Sequence, residues 1–327
     1  MRRLNVLFLP EEITDPFWLD NLIEQLDDRH DLSIFDTDKP LAQQFERVDV
    51  VLDMGGSVGT RAMMDAATDT RLWQIVGTGL DHVDLDYLKS KGFMVTYCPG
   101  PLSGVAQAEC AMMFMVMLVR QYKRSQEHFR HRKAWSPIVG DLEGATLLIV
   151  GFGASGQSLA KRARAFEMRV LGIDAYPIDQ AVIDELSPDF IGTPDDLDRL
   201  LPECDFLSLH VPLYDKTRHL IDGRRIGLMK KTACLINVAR GQLVDENALH
   251  AALIEGTLGG AGIDVFANEP EDPDKPVYQL PNVIVSPHIA GETYGTAQKR
   301  NGAMVANIDR LADGREVLYR IDERMPQ

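Results

Sequence analysis

The chain is poor in cysteine: Cys98, Cys110, Cys204 and Cys234 are all that 327 residues contain, with no CxxC pair and no zinc-ligand spacing. That excludes a disulfide framework, and no metal site is expected. Three of the four stand in apolar strand or helix patterns, so they read as buried thiols of a reducing compartment, the cytoplasm. Long hydrophobic runs are also missing. The most apolar segment, Cys110 to Val119 (CAMMFMVMLV), is ten residues long and too short to span a bilayer; its methionines are expected to fill a core or a subunit contact. The start, MRRLNVLFLPEE, has two arginines and a short apolar run, but acidic residues follow at once and no small-residue cleavage site appears. It reads as a first strand, not a signal peptide. Positive charge is in deficit: the net charge of −15 argues against nucleic acid or an anionic membrane as partner, since either demands a concentrated basic surface. One stretch, Arg120 to Lys133 (RQYKRSQEHFRHRK), runs the other way. It is open to two readings, a polyanion site or a solvated helix face with an interdomain or intersubunit role, and the second is preferred. Beyond a strand–helix rhythm there is no internal repeat, and no segment is of low complexity.

What the chain does have is the size and composition of an ordinary soluble protein of two domains, with 45% apolar and 25% charged residues. Short apolar runs recur with helical patterns between them: Val6 to Leu9, Leu32 to Phe35, Val48 to Leu52, Leu72 to Val76 and Phe93 to Tyr97. Asp15 is placed to cap a helix over Phe17 to Leu26, and Asp84 one over Leu85 to Lys91. The same rhythm resumes with Leu147 to Val150, Val170 to Ile173, Phe206 to Leu209, Cys234 to Val238, Ala261 to Val265 and Val283 to Ser286. Strands alternating with helices predict two doubly wound α/β units with parallel sheets. A break at Pro99 to Gly104 (PGPLSG) precedes a long helix starting near Val105. A second crossing follows Gly291, where a helical pattern from Thr293 to Ala312 leads to Val317 to Ile321. Those last residues are too few to stand alone and are expected to pack back on the first unit. The predicted domains are 1–102 with 292–327, and 103–291, with a cleft between them where polar groups converge.

The most specific segment is TLLIVGFGASGQSLAKRARAFEMRVLGID, Thr146 to Asp174. Gly151 permits a tight turn out of a strand, Gly153 lets backbone approach a pyrophosphate, and Gly156 lets the following helix pack closely on the sheet. The helix N-terminus then offers free N–H groups to the anion. Asp174 lies 18 residues after Gly156, near the spacing at which a carboxylate accepts hydrogen bonds from the adenosine ribose and disfavours a 2′-phosphate. A glycine-rich turn alone is weak. With strand before, helix after and acid at the right distance, it predicts a dinucleotide site for NAD rather than NADP.

Three polar residues stand at ends of predicted strands, where open α/β sheets collect ligand groups: Arg240 in INVARGQLVDE, Glu269 in GIDVFANEP and His288 in VIVSPHIAG. Singly, each is as well explained as an ion pair, a loop residue or a satisfied core group. Together, beside a dinucleotide motif, they suggest chemistry. A guanidinium pairs in fork geometry with a planar carboxylate, imidazole is a suitable proton donor near neutral pH, and a neighbouring carboxylate favours imidazolium.

With these segments in view, the chain resembles the D-isomer-specific 2-hydroxyacid dehydrogenases. VGFGASG with Asp174, LHVPLYDKTRHLID, LINVARGQLVDENALHAAL, GAGIDVFANEP, LPNVIVSPHIAG and VGTGLDHVD carry the likeness from about Val48 to Gly291. The resemblance implies a Rossmann nucleotide domain inserted in a flavodoxin-like substrate domain, a homodimer, and hydride transfer between NAD and a small 2-keto or 2-hydroxy acid of glyoxylate, hydroxypyruvate or lactate type. It implies a catalytic triad of Arg240, Glu269 and His288, with Arg240 and His288 also holding substrate. It puts Ala154 and Ser155 at the pyrophosphate with Gly151, Gly153 and Gly156, Val211 and Pro212 near the adenine, and Val238, Ala239 and Gly291 beside the cofactor. Thr78 and Gly79 would contact the substrate carboxylate, through backbone N–H groups of the VGTG turn. Asp264 would meet the carboxamide or only hold a strand end.

Departures from the family pattern also matter. Ala154-Ser155 stands where Arg-Ile is frequent, which removes one charge contact to the pyrophosphate, and Gln107 replaces a frequent Glu in the hinge helix. The loop Met54 to Val58 (MGGSV) lacks the arginine of phosphoglycerate-type members, which argues against a phosphorylated substrate unless Arg61 compensates. Two other functions stay open on the sequence: a dinucleotide-sensing binding protein of co-repressor type, disfavoured by an intact triad, and hydride transfer from another small anion such as formate or phosphite.

Overall fold

The computed structural model describes residues 2–11, 15–55 and 58–321 and divides the chain into two compact units, Met1–Leu102 with Thr293–Gln327, and Ser103–Glu292.

The first unit alternates β1 (Asn5–Leu9), α1 (Pro16–Leu26), β2 (Asp31–Ile34), α2 (Leu41–Phe45), β3 (Val50–Met54), α3 (Arg61–Ala66), β4 (Leu72–Val76), α4 (Leu85–Ser90) and β5 (Met94–Thr96). The sheet order is β2-β1-β3-β4-β5 with every pair parallel, the flavodoxin-like winding. β3 and β4 are buried along their whole length, as parallel strands covered on both faces must be. Successive residues feed opposite cores: Val6, Phe8, Val50 and Leu52 on one face, Leu7, Leu9, Val51 and Trp73 on the other. The expected caps are in place. Asp15 accepts from Phe17 N at 2.9 Å, with Pro16 opening the helix, and Asp84 accepts from Tyr87 N at 3.1 Å.

The second unit opens with α5 (Gly104–Val119) and α6 (Tyr122–Arg130). It continues through β6 (Thr146–Val150), α7 (Ala154–Ala165), β7 (Arg169–Ile173), α8 (Gln180–Leu186), β8 (Phe190–Gly192), α9 (Leu197–Leu200), β9 (Phe206–Leu209), α10 (Gly223–Ile226), β10 (Cys234–Asn237), α11 (Glu246–Glu255), β11 (Gly260–Ile263) and β12 (Val283–Val285). Its order, β12-β11-β10-β9-β6-β7-β8, is again all parallel. The winding reverses between β6 and β9, so the carboxyl ends of those two strands frame the crevice in which such sheets bind ligands.

The chain then re-enters the first unit through α12 (Tyr294–Ala312), capped by Thr293, whose hydroxyl accepts from Thr296 N at 3.1 Å. Beyond α12, Val317 and Ile321 are buried, and the segment touches β5 through an antiparallel bridge of Thr96 with Arg320 and two backbone bonds, Tyr97 N to Tyr319 O and Ile321 N to Val95 O. It packs as expected but is a bridge, not a strand.

Two further features differ from, or refine, the sequence reading. β8 was not anticipated, because its three residues FIG carry no run long enough to register and all are only half-buried. In the basic stretch, α6 buries none of its residues; Arg120 pairs with Asp141 at 3.2 Å, His131 with Glu127, and Lys123 donates to the carbonyls of Tyr278 and Leu280. This is a solvated face. Met112 and Met115 of α5 are in the core while Met113 is exposed. All four thiols are free, and burial pushes Cys98 up to about 11 and Cys204 and Cys234 up to about 12, so they are inert at neutral pH. Among the described residues no helix is long and apolar enough to cross a membrane.

Candidate active site

Three glycines shape the loop after β6. Gly151 has φ +98°, and a Cβ there would lie 2.5 Å from the His210 carbonyl oxygen; only glycine serves this turn. A Cβ on Gly156 would lie 2.1 Å from Gly151 O, so the first turn of α7 rests directly on the loop. At Gly153, the extended residue before α7, a Cβ would meet nothing within 4 Å, and no side chain caps the helix. The first turn of α7 thus starts without a side-chain cap and with space beside Gly153, an arrangement that suits an anionic pyrophosphate.

Asp174 ends β7 as expected, and its carboxylate is already at work: one oxygen accepts from Phe152 N at 2.7 Å, the other from Tyr176 N at 2.9 Å. It therefore braces the glycine loop, while a carboxylate's further lone pairs remain for sugar hydroxyls. Ser155 is also engaged. Its hydroxyl lies 3.0 Å from Nδ1 of His210, whose Nε2 lies 2.9 Å from the Ser208 hydroxyl. Burial pushes His210 down to about 4, so this ring is neutral and braces Ser155, leaving the Ala154 and Ser155 backbone N–H groups for the anion. Sequence reasoning missed His210. Its signal was a polar residue ending β9, directly across the winding reversal from Gly151. Val211 and Pro212 follow it at the same edge, the first half-buried, the second exposed.

At the ends of β10, β11 and β12 the chain gathers Arg240, Asp264, Glu269 and His288. Asn237, buried, holds the Arg240 turn from inside: its amide donates to Arg240 O at 2.8 Å and accepts from Ala239 N at 3.2 Å, with Val238 and Ala239 between. Asn237 was not singled out in the sequence, though it is the one polar residue in an otherwise apolar strand. Its carbonyl accepts from Asp264 N at 3.0 Å. Asp264 is fully buried and accepts from Ile289 N at 2.9 Å, Ala290 N at 2.8 Å and the Ser286 hydroxyl. It fastens the loop that carries His288 and ends at Gly291.

His288 itself has φ +55°, a left-handed conformation costing non-glycine residues about 1–3 kcal/mol and common at functional sites. Its N–H donates to Asp264 O at 2.7 Å. The ring Nδ1 lies 2.7 Å from Glu269 Oε2, and Glu269 Oε1 accepts from Phe266 N at 2.9 Å. The Glu269 hydrogen bond raises the His288 pKa above its ordinary value against burial, which works the other way, and Arg240 lowers it somewhat. Burial pushes Glu269 up, but the His288 hydrogen bond, the Phe266 N–H and the charges of His288 and Arg240 outweigh it, and its pKa is lowered. Arg240, whose Nη1 donates to Ala239 O at 2.9 Å, is thus electrostatically coupled to both members of the pair. The structure brings all three together.

In the first unit the Thr78 hydroxyl donates to Cys98 O at 2.9 Å and lies 3.4 Å from Arg300 Nη2. Arg61 pairs with Asp84 and stacks over Tyr87; of the 54–58 loop beside it, Gly56 and Ser57 lie outside the described residues. Nearby Asp53, buried and bonded to Trp73 Nε1 at 3.0 Å and Gly59 N at 3.2 Å, is pushed up to about 6 by burial. Among the described residues no group of three or more His, Cys, Asp or Glu side chains is arranged to hold a metal ion.

The two windings and the glycine loop define an α/β protein built around a dinucleotide. Residues 112–290 match the family described as D-isomer specific 2-hydroxyacid dehydrogenase, NAD binding domain. The chain is 36% identical over 274 residues to a D-3-phosphoglycerate dehydrogenase of Methanocaldococcus jannaschii, a match taking in 83% of this chain but 51% of that protein. It is 37% identical over 250 residues to a glyoxylate reductase of Korarchaeum cryptofilum, covering 75% and 73%. The solved structure of D-lactate dehydrogenase from Aquifex aeolicus with NAD and lactic acid is similar with a TM-score of 0.79 at 30% identity, covering 95% and 96%. The chain belongs to the D-isomer specific 2-hydroxyacid dehydrogenase family and is an NAD-dependent oxidoreductase.

Proposed function

We propose that this enzyme interconverts a small, unphosphorylated 2-keto acid of glyoxylate, hydroxypyruvate or lactate type and its 2-hydroxy acid, with the second unit as nucleotide domain and the first as substrate domain. The observation that carries this is the 2.7 Å His288–Glu269 pair under the charge of Arg240. Bound NAD(H) supplies or takes up the hydride. The residues of the chain do the rest. Gly151, Gly153, Gly156 and the first N–H groups of α7 hold the pyrophosphate, with Asp174 toward the adenosine ribose. Arg240 forks onto the carboxylate and carbonyl of the keto acid and stays charged at any working pH. Glu269 occupies Nδ1 of His288, so Nε2 is the nitrogen that gives its proton to the carbonyl oxygen as negative charge develops there, and takes it back in the oxidation.

The test follows NADH absorbance with glyoxylate, hydroxypyruvate, pyruvate, phenylpyruvate and 2-ketoglutarate. Consumption is expected with the smaller acids; no consumption with any of them sinks the proposal. Repeating the assay with NADPH tests Asp174, because a carboxylate repels a 2′-phosphate, and a clear preference for NADPH would contradict that role.

A pH dependence follows from the pair. The raised His288 pKa keeps imidazolium present below it, so reduction is sustained below that value and declines as pH rises through it. In Glu269→Gln the largest raising influence is gone, while burial and Arg240 still oppose the cation. The decline in reduction rate should therefore begin at lower pH and the oxidation limb also move to lower pH; superimposable profiles for the two proteins would refute the coupling.

Phe129, Trp135 and Ile138, neighbours in sequence, are 79%, 100% and 92% exposed, large apolar side chains of the kind that subunit contacts cover. A second copy of the chain covering it is the homodimer we propose, which a monomer mass by light scattering would disprove. With four free thiols, two of them buried, and a net charge of −15, a cytoplasmic location completes the reading, checked by cell fractionation.

A further inference from the structure

Glu269 sits on a segment that little apolar packing holds. Asn268, Glu269 and Pro270 are exposed, and an exposed ion pair such as His288–Glu269 is weakly held unless its partners are fixed by something else. The fixing comes from the Arg240 strand end. Gly241 passes so close to the segment that a Cβ would lie 1.9 Å from Phe266 C. One residue on, the Gln242 amide donates to Ala267 O at 2.7 Å, and from the first turn of α11 the Glu246 carboxylate accepts from Ala267 N at 3.0 Å. Both backbone groups of Ala267, two residues before Glu269, are thus held by side chains of the Arg240 segment.

We infer that Gln242 and Glu246 are positioning residues which, by gripping Ala267 from both sides, keep the Glu269 carboxylate on His288 and tie its place to that of Arg240. Glu246 is itself anchored: its other oxygen accepts from Lys275 Nζ at 3.1 Å and lies 4.0 Å from Nε2 of His250. Lys275 also holds Glu271 at 2.8 Å, and Tyr278 donates to the same Glu271 oxygen at 3.1 Å. The stretch from Phe266 to Glu271 is therefore pinned on both sides of Glu269, at Ala267 and at Glu271. A carboxylate accepting a backbone N–H makes one of the stronger hydrogen bonds available to a loop. Its loss frees the segment to fluctuate, and the 2.7 Å contact is then made for a smaller fraction of the time.

The inference rests on the reading of Glu269 and His288 as the acid–base couple, and its test does not depend on turnover. The groups acting on His288 are Glu269, Arg240 and Asp264; of the two that the clamp bears on, Glu269 raises the midpoint and Arg240 lowers it, so a fall reports Glu269. The His288 titration is followed by NMR of protein carrying 13C-labelled histidine, its signal assigned by its loss in His288→Asn. In Glu246→Ala and in Gln242→Ala the midpoint is expected to fall part of the way to the midpoint of Glu269→Gln, and the alkaline limb of keto-acid reduction to fall with it while NADH affinity stays unchanged. Glu246→Gln retains an acceptor for Ala267 N and is expected to restore the midpoint. A midpoint unmoved in both truncations overturns the inference even if activity drops, since a merely structural role would not touch the proton. Absence of keto-acid reduction in the unaltered enzyme would instead fault the functional proposal, and the titration would still decide the clamp.

Discussion

His288→Asn is expected to bind NADH as the unaltered enzyme does and to reduce keto acids on the order of 10²–10⁴-fold more slowly, the usual span for loss of a general acid. Asparagine is the informative replacement because position 288 has φ +55°, a conformation that asparagine adopts readily and alanine does not. The loop bonds from Asp264 to the backbone at positions 288, 289 and 290 then survive. The amide can still donate a hydrogen bond to the carbonyl oxygen, but it cannot deliver a proton. Loss should therefore fall on kcat more than on KM, which marks an interaction made chiefly in the transition state. The alkaline decline should vanish as well, since the titrating group is gone. Single-turnover reduction and fluorescence titration with NADH separate chemistry from binding. A slow step within a few-fold of the unaltered enzyme would remove His288 from the acid role.

Most of the fold was legible because parallel strands buried on both faces are near-continuous apolar runs of strand length between turn signals, as with VVLDM in β3 and TLLIV in β6. The caps at Asp15 and Asp84 were legible for the same local reason, a side chain bonding a backbone group two or three residues away. β8 escaped since FIG is too short for periodicity to act on. In the site, the strand-end positions of Arg240, Glu269 and His288 could be read, but the direction of a side chain within a loop could not. Asp174 turns to Phe152 N, Ser155 to His210, and Asp264 to the His288 loop; each choice depends on which backbone N–H or ring nitrogen another strand brings within about 3 Å, a distance that exists only once the sheet is assembled. Asn237 and the Gln242–Glu246 grip on Ala267 escaped for the same reason. These supports join residues distant in sequence, and no spacing rule announces them.

Arg240→Ala is expected to cost most where the keto acid is held. Truncating one member of a desolvated, hydrogen-bonded charge pair typically costs about 2–5 kcal/mol, roughly thirtyfold to several thousandfold in kcat/KM. Lysine should recover only part of this, because an ammonium is a point charge and cannot fork onto a carboxylate and a carbonyl together. A second effect distinguishes this loss from that of Glu269. Arg240 disfavours the His288 imidazolium, so its removal should shift the alkaline limb of reduction to higher pH, opposite in sign to Glu269→Gln. Arg240→Lys, retaining the charge, should leave that limb nearly in place while still binding substrate poorly. Opposite pH shifts combined with a shared loss of kcat/KM would place the guanidinium both on the substrate and beside the acid. Turnover in Arg240→Ala within a few-fold of the unaltered enzyme, or a limb that moves the same way as in Glu269→Gln, would dissolve that arrangement.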